Sequence, residues 1–314
     1  MTEETNLKEE DVIAKLDAFA ELPDAPPKRR LKLSWIGKAS VAVVVFWLVI
    51  VAIGPSIAPF HEMDMDGDDS FLSYGEDEDG GFLTNEYGTF YLGTDYIGRD
   101  TLSRILFGAR NTIGISLLAT LLAYLMGITL GILAAVKGGW IDMGISRVND
   151  AILALPTIML GLIVIAAFGS SIIVLILTAA VIYATSVFRI ARALGQDIMV
   201  QDFVEAAHAR GEGIWWIIKS EVLPNAAMPL ATDFGLRLVF VVLFISSLSF
   251  LGLGIQPPAS DWGSMVRDNL QGLTYGSYAA IWPAIAIASF TIAINLIVDD
   301  ISAKSGGSLA KKMI

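Results

Sequence analysis

The chain has 314 residues, 54% of them hydrophobic, with a mean hydropathy of +0.63 and a formal net charge of −11. That apolar share exceeds what a soluble domain carries and points to a membrane protein. It has no cysteine, so disulfides, a Cys-ligated zinc site and thiol chemistry are excluded.

The first 33 residues are highly charged and do not read as a cleavable signal peptide; the apolar run at residues 41–57 is a first span that stays attached. About 20 apolar residues are needed to cross roughly 30 Å of hydrocarbon. Six stretches qualify, at 38–58, 111–136, 148–168, 171–188, 226–254 and 280–299. With the N-terminus placed in the cytoplasm, sixteen of the 21 Lys and Arg fall on the inner side. Both termini are therefore expected inside. The domain plan is a cytoplasmic segment 1–33, a first transmembrane helix 34–58, an outer loop 59–110, a core of five helices at 111–300 with an inner loop at 189–225, and a cytoplasmic tail 301–314.

The acidity is local. Twelve of the 32 Asp and Glu lie between residues 59 and 110. Asp64, Asp66 and Asp68 alternate as in a calcium loop, but Asp69 stands where that loop needs Gly and Gly75 where it needs Glu. A solvated acidic loop is the better reading. His61 and His208 lack the spacing of a metal motif, so no metal site is expected.

The second span carries Ala119, Ala123, Gly127, Gly131 and Ala135 at four-residue spacing. Such a stripe lets another helix approach closely, either within this chain or from a second membrane subunit. In the fifth span Asp233 and Arg237 lie one turn apart, a costly pair at membrane depth unless the site is wet or near the interface. They either line a translocation path or form an ion pair snorkelling at a helix end.

Between the fourth and fifth spans lies EAAHARGEGIWWIIKSEVLPNAAMPL, residues 205–230. Residues 198–210 read as a helix, Gly211 and Gly213 as a turn, and IWWIIKSEVLP as a second short helix at headgroup level that Pro224 ends. A small-faced helix held between two spans suits a groove on a partner; an interfacial hairpin with no partner is the alternative. No G-x-x-x-x-G-K-[ST] phosphate loop occurs, so nucleotide energy would come from a partner, and neither G-x-S-x-G nor H-E-x-x-H appears.

Glu205, Ala206, Ala207 and Gly211, followed at a fixed interval by Leu223 and Pro224, resemble the EAA loop of binding-protein-dependent ABC importer permeases. Glu221 departs from that pattern, which has an apolar residue two before the Leu. The segments LGTDYIGRDTLSRILFGAR, 92–110, and LSFLGLGIQPPASDWGSM, 248–265, are similar to the second, C-type permease subunit of the dipeptide/oligopeptide/nickel class. The resemblance covers roughly residues 34–300; the first 33 residues and 62–88 fall outside it.

It implies an all-α integral membrane protein with six transmembrane helices and a MetI-like core, one half of a permease in the bacterial cytoplasmic membrane. The implied partners are a second homologous permease subunit, two cytoplasmic ABC ATPase subunits that bind ATP and Mg, and an extracytoplasmic solute-binding protein, within a lipid membrane and without nucleic acid. This chain would bind no cofactor and be no enzyme. Glu205 would contact or cap at the ATPase groove, Ala206 and Ala207 would permit close approach, Gly211 would make the turn, and Leu223 and Pro224 would fix the exit into the fifth span. For the acidic loop, which the resemblance does not cover, docking of the binding protein by charge attraction is the alternative to a plain solvated surface. An ion-driven secondary transporter, with Asp233 and Arg237 as coupling residues, is the main rival; a membrane-embedded enzyme would need a catalytic cluster that the sequence lacks.

Overall fold

The structure, a computed structural model, describes residues 33–67, 70–72 and 83–310. Expectations for the N-terminal segment and for most of the acidic stretch, including Asp68 and Gly75, fall outside the described residues.

The first helix, α1, runs Trp35–Ile57; the Ser34 side chain caps it by accepting from Gly37 N at 3.0 Å. The second, α2, runs Thr101–Lys137 and starts well ahead of the expected residue 111. Its first turns are polar by sequence, but Thr101, Ser103 and Arg104 are buried against the preceding loop, so tertiary packing overrides the hydropathy signal. At 1.5 Å per residue, its 37 residues span about 56 Å, longer than the hydrocarbon layer. Gly138 and Gly139, both at positive φ, end it.

The third span is not one straight helix. It consists of α3, Gly139–Leu153, and α4, Thr157–Phe168, bent by 89°. Pro156 sits at the break, where its ring disfavours helical geometry for the preceding residue. Then follow α5, Ile172–Met199, and a short α6, Asp202–Ala209. The next helix, α7, is continuous over Ile214–Phe250, and α8, Trp262–Asn269, precedes a 3-10 turn at Leu270–Tyr275 and the last helix, α9, Ile281–Ala310. Among the described residues five helices are long and apolar enough to cross a membrane, six when the bent pair counts as one span. The all-α expectation needs one amendment: β1, Leu83–Asn85, and β2, Gly88–Phe90, form a small antiparallel hairpin in the loop after α1.

Two apolar clusters hold the bundle. Trp47, Ile113, Val242, Trp262 and Phe290 join α1, α2, α7, α8 and α9. Ala119, Ile165, Leu175, Phe244 and Leu248 join α2, α4, α5 and α7. The small-residue stripe of α2 packs within the chain, against α5. A Cβ on Gly127 would meet Val187 Cβ at 2.6 Å, and one on Gly131 would meet the Phe188 carbonyl at 2.7 Å. The two backbones touch because nothing larger stands between them. Polar contacts add to the packing: Trp47 Nε1 donates to Ser289 Oγ at 2.9 Å and Ser34 N to Asp300 Oδ2 at 2.9 Å, tying α1 to α9.

Candidate functional site

The chain leaves α5 at Val200 and turns at Gln201, whose carbonyl accepts from Val204 N at 2.9 Å and Glu205 N at 3.2 Å to open α6. At the far end Gly211 N donates to the His208 carbonyl at 2.9 Å and Glu212 N to the Ala207 carbonyl at 3.2 Å. This paired closure needs a left-handed residue, and Gly211 supplies it at φ +84°. Glycine stands there because any side chain would strain the turn.

One face of α6 is docked and the other is open. Val204 and Ala207 are fully buried with Ile132, Ile217 and Val222, from α2 and α7. Phe203, Glu205, Ala206, His208 and Ala209 are exposed. The two alanines expected to act alike therefore lie on opposite faces of α6. Ala206 keeps the open face low, while Ala207 lets α6 lie close on its own spans.

The second half of the insert differs from its sequence reading. Residues 214–222 are not a separate surface helix ended by Pro224 but the start of α7 itself. A π-turn at Ile218–Val222 makes this possible: Leu223 N donates to the Ile218 carbonyl, five residues back. Pro224 has no N–H and its ring would crowd the Ser220 carbonyl in a regular α-helix; the wider turn relieves that crowding without stopping the helix. Asn225 Nδ2 donates to the Glu221 carbonyl at 2.6 Å. Leu223 and Pro224 are exposed, and Trp215 is 80% exposed beside Trp216, over which Arg210 lies at 6.0 Å.

Further along α7, Asp233 is buried and Arg237 lies beside it, with Arg237 Nη2 3.1 Å and Nε 3.2 Å from Asp233 Oδ1. Tyr124 of α2 donates its hydroxyl to Asp233 Oδ2 at 2.6 Å. The ion pair expected from the four-residue spacing is present, and a third member, Tyr124, completes it. No sequence signal singles out this tyrosine among the apolar residues of its span. A second unforeseen pair joins α3 to α5, where Arg192 donates to both oxygens of Asp142.

The two segments 92–110 and 248–265, far apart in sequence, build one bracket. Trp262 is fully buried; its indole N–H donates to the Ile105 carbonyl at 3.0 Å and its backbone N–H to Thr112 Oγ1 at 3.1 Å. Asn111 Nδ2 donates to the Ser260 carbonyl at 2.7 Å. Asp95 is the hub of the loop, accepting from Ile97 N, Arg99 N and Arg99 Nε, with Arg104 Nε at 3.6 Å. Asp261 caps α8 by accepting from Gly263 N at 2.9 Å and Ser264 N at 3.3 Å. Burial holds the Asp261 carboxyl above the usual carboxylate range, although hydrogen bonds from Ser264 and Gly263 oppose that shift.

Among the described residues no three His, Asp or Glu side chains gather as a metal cluster. Asp64 instead accepts from His61 N at 2.9 Å, closing a turn, and His61 meets the Phe107 ring edge-on at 5.4 Å.

Long apolar helices, a split span and a short helix docked by one face outside the bundle define a multi-pass membrane protein of the permease class. Residues 127–303 match the family described as binding-protein-dependent transport system inner membrane component, and the chain belongs to that family. Over 209 residues it is 32% identical to the glutathione transport system permease protein GsiD of Pectobacterium atrosepticum, covering 67% of this chain and 69% of that protein. It is 32% identical over 227 residues to the dipeptide transport system permease protein DppC of Alkalihalophilus pseudofirmus, covering 72% and 75%. A di/tripeptide transport system permease protein DppC of Pseudomonas aeruginosa is 31% identical over 265 residues, covering 83% and 86%. A solved chain of the MetNI methionine ABC transporter in an inward-facing conformation superposes with a TM-score of 0.52 at 16% identity, covering 64% of this chain and 95% of that chain. This likeness identifies the fold as MetI-like. The chain is thus a membrane-spanning transport subunit and not an enzyme.

Proposed function

We propose that this chain is the C-type permease subunit of a peptide importer in a bacterial cytoplasmic membrane, with both termini inside. It pairs with a second homologous permease subunit, with two ATPase subunits on the cytoplasmic side and with an extracytoplasmic solute-binding protein. The observation that carries this reading is α6, buried on Val204 and Ala207 yet open at Phe203, Glu205 and Ala206. A helix of eight residues is too short to hold itself in water; docked on α2 and α7 it is rigid enough to pass a push to both.

The coupling surface comprises Glu205 and Ala206, with Ala207 and Gly211 holding its shape and Leu223 and Pro224 setting its junction with α7. ATP and Mg bind in the ATPase subunits, and this chain takes no cofactor. Closure of the ATPase dimer moves α6; α7, continuous from Ile214 to Phe250, carries that movement through the bundle and changes which side the pathway faces. Short peptides are the cargo best supported by the relatives' names, glutathione included. In this reading Asp233 and Arg237 line the pathway.

The experiment reconstitutes the chain with its partner subunits in liposomes and follows uptake of dialanine and glutathione. Uptake that requires ATP, the ATPase subunits and the binding protein is the expected result. Gradient-driven uptake by this chain alone would replace this reading with a secondary transporter.

A further inference from the structure

Arg237 has more donors than Asp233 takes up. Its Nε and Nη2 face the Asp233 carboxylate, while Nη1 makes no hydrogen bond among the described residues. Asp233 in turn is satisfied from two sides, since the Tyr124 hydroxyl holds its other oxygen at 2.6 Å. The pair is asymmetric in exposure: the Asp233 side chain is 10% exposed and the Arg237 side chain 20%. The carboxylate is the inner, anchored member, and the guanidinium is the outer one with a free edge.

That edge opens at a depth where lipid is a poor neighbour. Arg237 lies well inside α7, with the exposed apolar side chains of Phe240 and Leu243 on the next turns. A guanidinium donor turned to hydrocarbon would go unsatisfied at a cost of several kcal/mol. The face is therefore wet or covered by a polar group when the protein works. The surroundings are also ordered. The Phe240 ring centre lies 5.8 Å from the guanidinium carbon, and the Tyr183 hydroxyl of α5 donates to the Phe240 carbonyl at 3.0 Å, pinning the segment. Aromatic walls beside a preorganised guanidinium suit a planar anion taken up through two parallel N–H bonds.

We infer that Arg237, held by Asp233 and Tyr124 and framed by Phe240 and Tyr183, binds the carboxylate of the solute as it passes through the permease. The inference rests on the peptide-importer reading above and deepens it: a short peptide always carries a terminal carboxylate. Asp233 is then a positioning residue, which orients the guanidinium and cancels part of its charge so that the solute is released.

The test separates recognition from charge balance. Wild type, Asp233→Asn, Arg237→Met, Arg237→Lys and the double variant Asp233→Asn/Arg237→Met are assembled with all partner subunits in liposomes. ATP-dependent uptake of dialanine and glutathione is measured, with co-purification of the ATPase subunits as the assembly control. Carboxylate binding predicts that Arg237→Met and the double variant both lose uptake by about tenfold or more, the size of a lost charge-assisted hydrogen bond. Asp233→Asn lowers uptake by less than Arg237→Met, because the guanidinium stays but is less well oriented and releases the solute more slowly, and Arg237→Lys retains more than Arg237→Met. Near wild-type uptake by an assembled double variant would reduce Arg237 to a counter-ion and overturn the inference. A double variant that does not assemble with its partners would likewise make the pair a structural element and overturn it. Absence of ATP-dependent uptake by the wild type for both probes would instead count against the peptide-importer reading itself.

Discussion

Tyr124 and Asp233, 109 positions apart in the chain, are joined by a hydrogen bond of 2.6 Å. It crosses from α2 to α7 in a region otherwise packed with apolar side chains, and the Tyr124 ring also meets Phe234 edge-on at 5.0 Å. Tyr124→Phe keeps the ring and removes the donor, leaving one Asp233 oxygen with only the longer Arg237 contact. The expected loss is about 1–3 kcal/mol, the cost of an unsatisfied buried acceptor. Thermal unfolding of the purified complex should show a lower midpoint for Tyr124→Phe. Combining it with Asp233→Ala should cost less than the two single changes added, because each alone already removes the Tyr124–Asp233 hydrogen bond. Strict additivity would mean that the two side chains do not depend on each other.

The opposite faces of α6 give a second prediction. Ala207→Glu forces a carboxylate into the cluster of Ile132, Val204, Ile217 and Val222, so α6 should leave its seat. Ala206→Glu adds bulk only to the open face. Both variants should insert into the membrane, and both should lose ATP-dependent uptake. They should differ in limited proteolysis: cleavage within 200–213 accelerates in Ala207→Glu and stays at the wild-type rate in Ala206→Glu. Equal protection in both would show that α6 is not held by its inner face.

Sequence reading recovered what local spacing encodes. The four-residue stripe from Ala119 to Ala135, the turn at Gly211 and the pairing of Asp233 with Arg237 follow from helix geometry and glycine conformation alone. It failed where a distant partner decides. Thr101, Ser103 and Arg104 look like loop residues until the bracket around Asp95 and Trp262 buries them. The bend between α3 and α4 has a readable mark in Pro156, as the end of α2 has in the Gly138 and Gly139 pair, yet hydropathy smooths over both. Tyr124 could not be found, since nothing within its own helix tells a hydrogen-bonded tyrosine from a packed one. Pro224 misled for another reason. A proline usually ends a helix, but α7 continues through it, with a π-turn just before it.

Asp261 yields a pH dependence. Burial raises its carboxyl in the folded protein, so its contribution to stability is fully present below the ordinary carboxylate value of about 3.9 and is lost as pH rises through the raised value. Above that range the folded protein bears the cost of a buried charge. Asp261→Asn keeps an oxygen for Gly263 N and carries no charge. The midpoint of Asp261→Asn minus that of wild type should therefore grow between about pH 4 and pH 8. A difference that shrinks with rising pH would mean that the hydrogen bonds from Gly263 and Ser264 outweigh burial and stabilise the ionised form.

The π-turn at Ile218–Val222 sits between the coupling helix and the membrane part of α7, and it holds one more residue than a regular turn. Pro224→Ala restores a backbone N–H and removes the crowding at the Ser220 carbonyl, so the turn can tighten to an α-helical one. Losing one residue from the turn rotates everything before it by about 100° relative to everything after it. Ile217, now seated on Val204 and Ala207, would then move off that cluster while α7 beyond Leu223 stays in place. Removing a proline from a helix interior and unseating Ile217 oppose each other in stability, so the thermal midpoint should stay near that of wild type, yet uptake should fall because α6 no longer rests on the helix that it drives. Uptake and thermal midpoint measured together decide the matter. A folded variant with unchanged uptake would show that coupling does not pass through the π-turn.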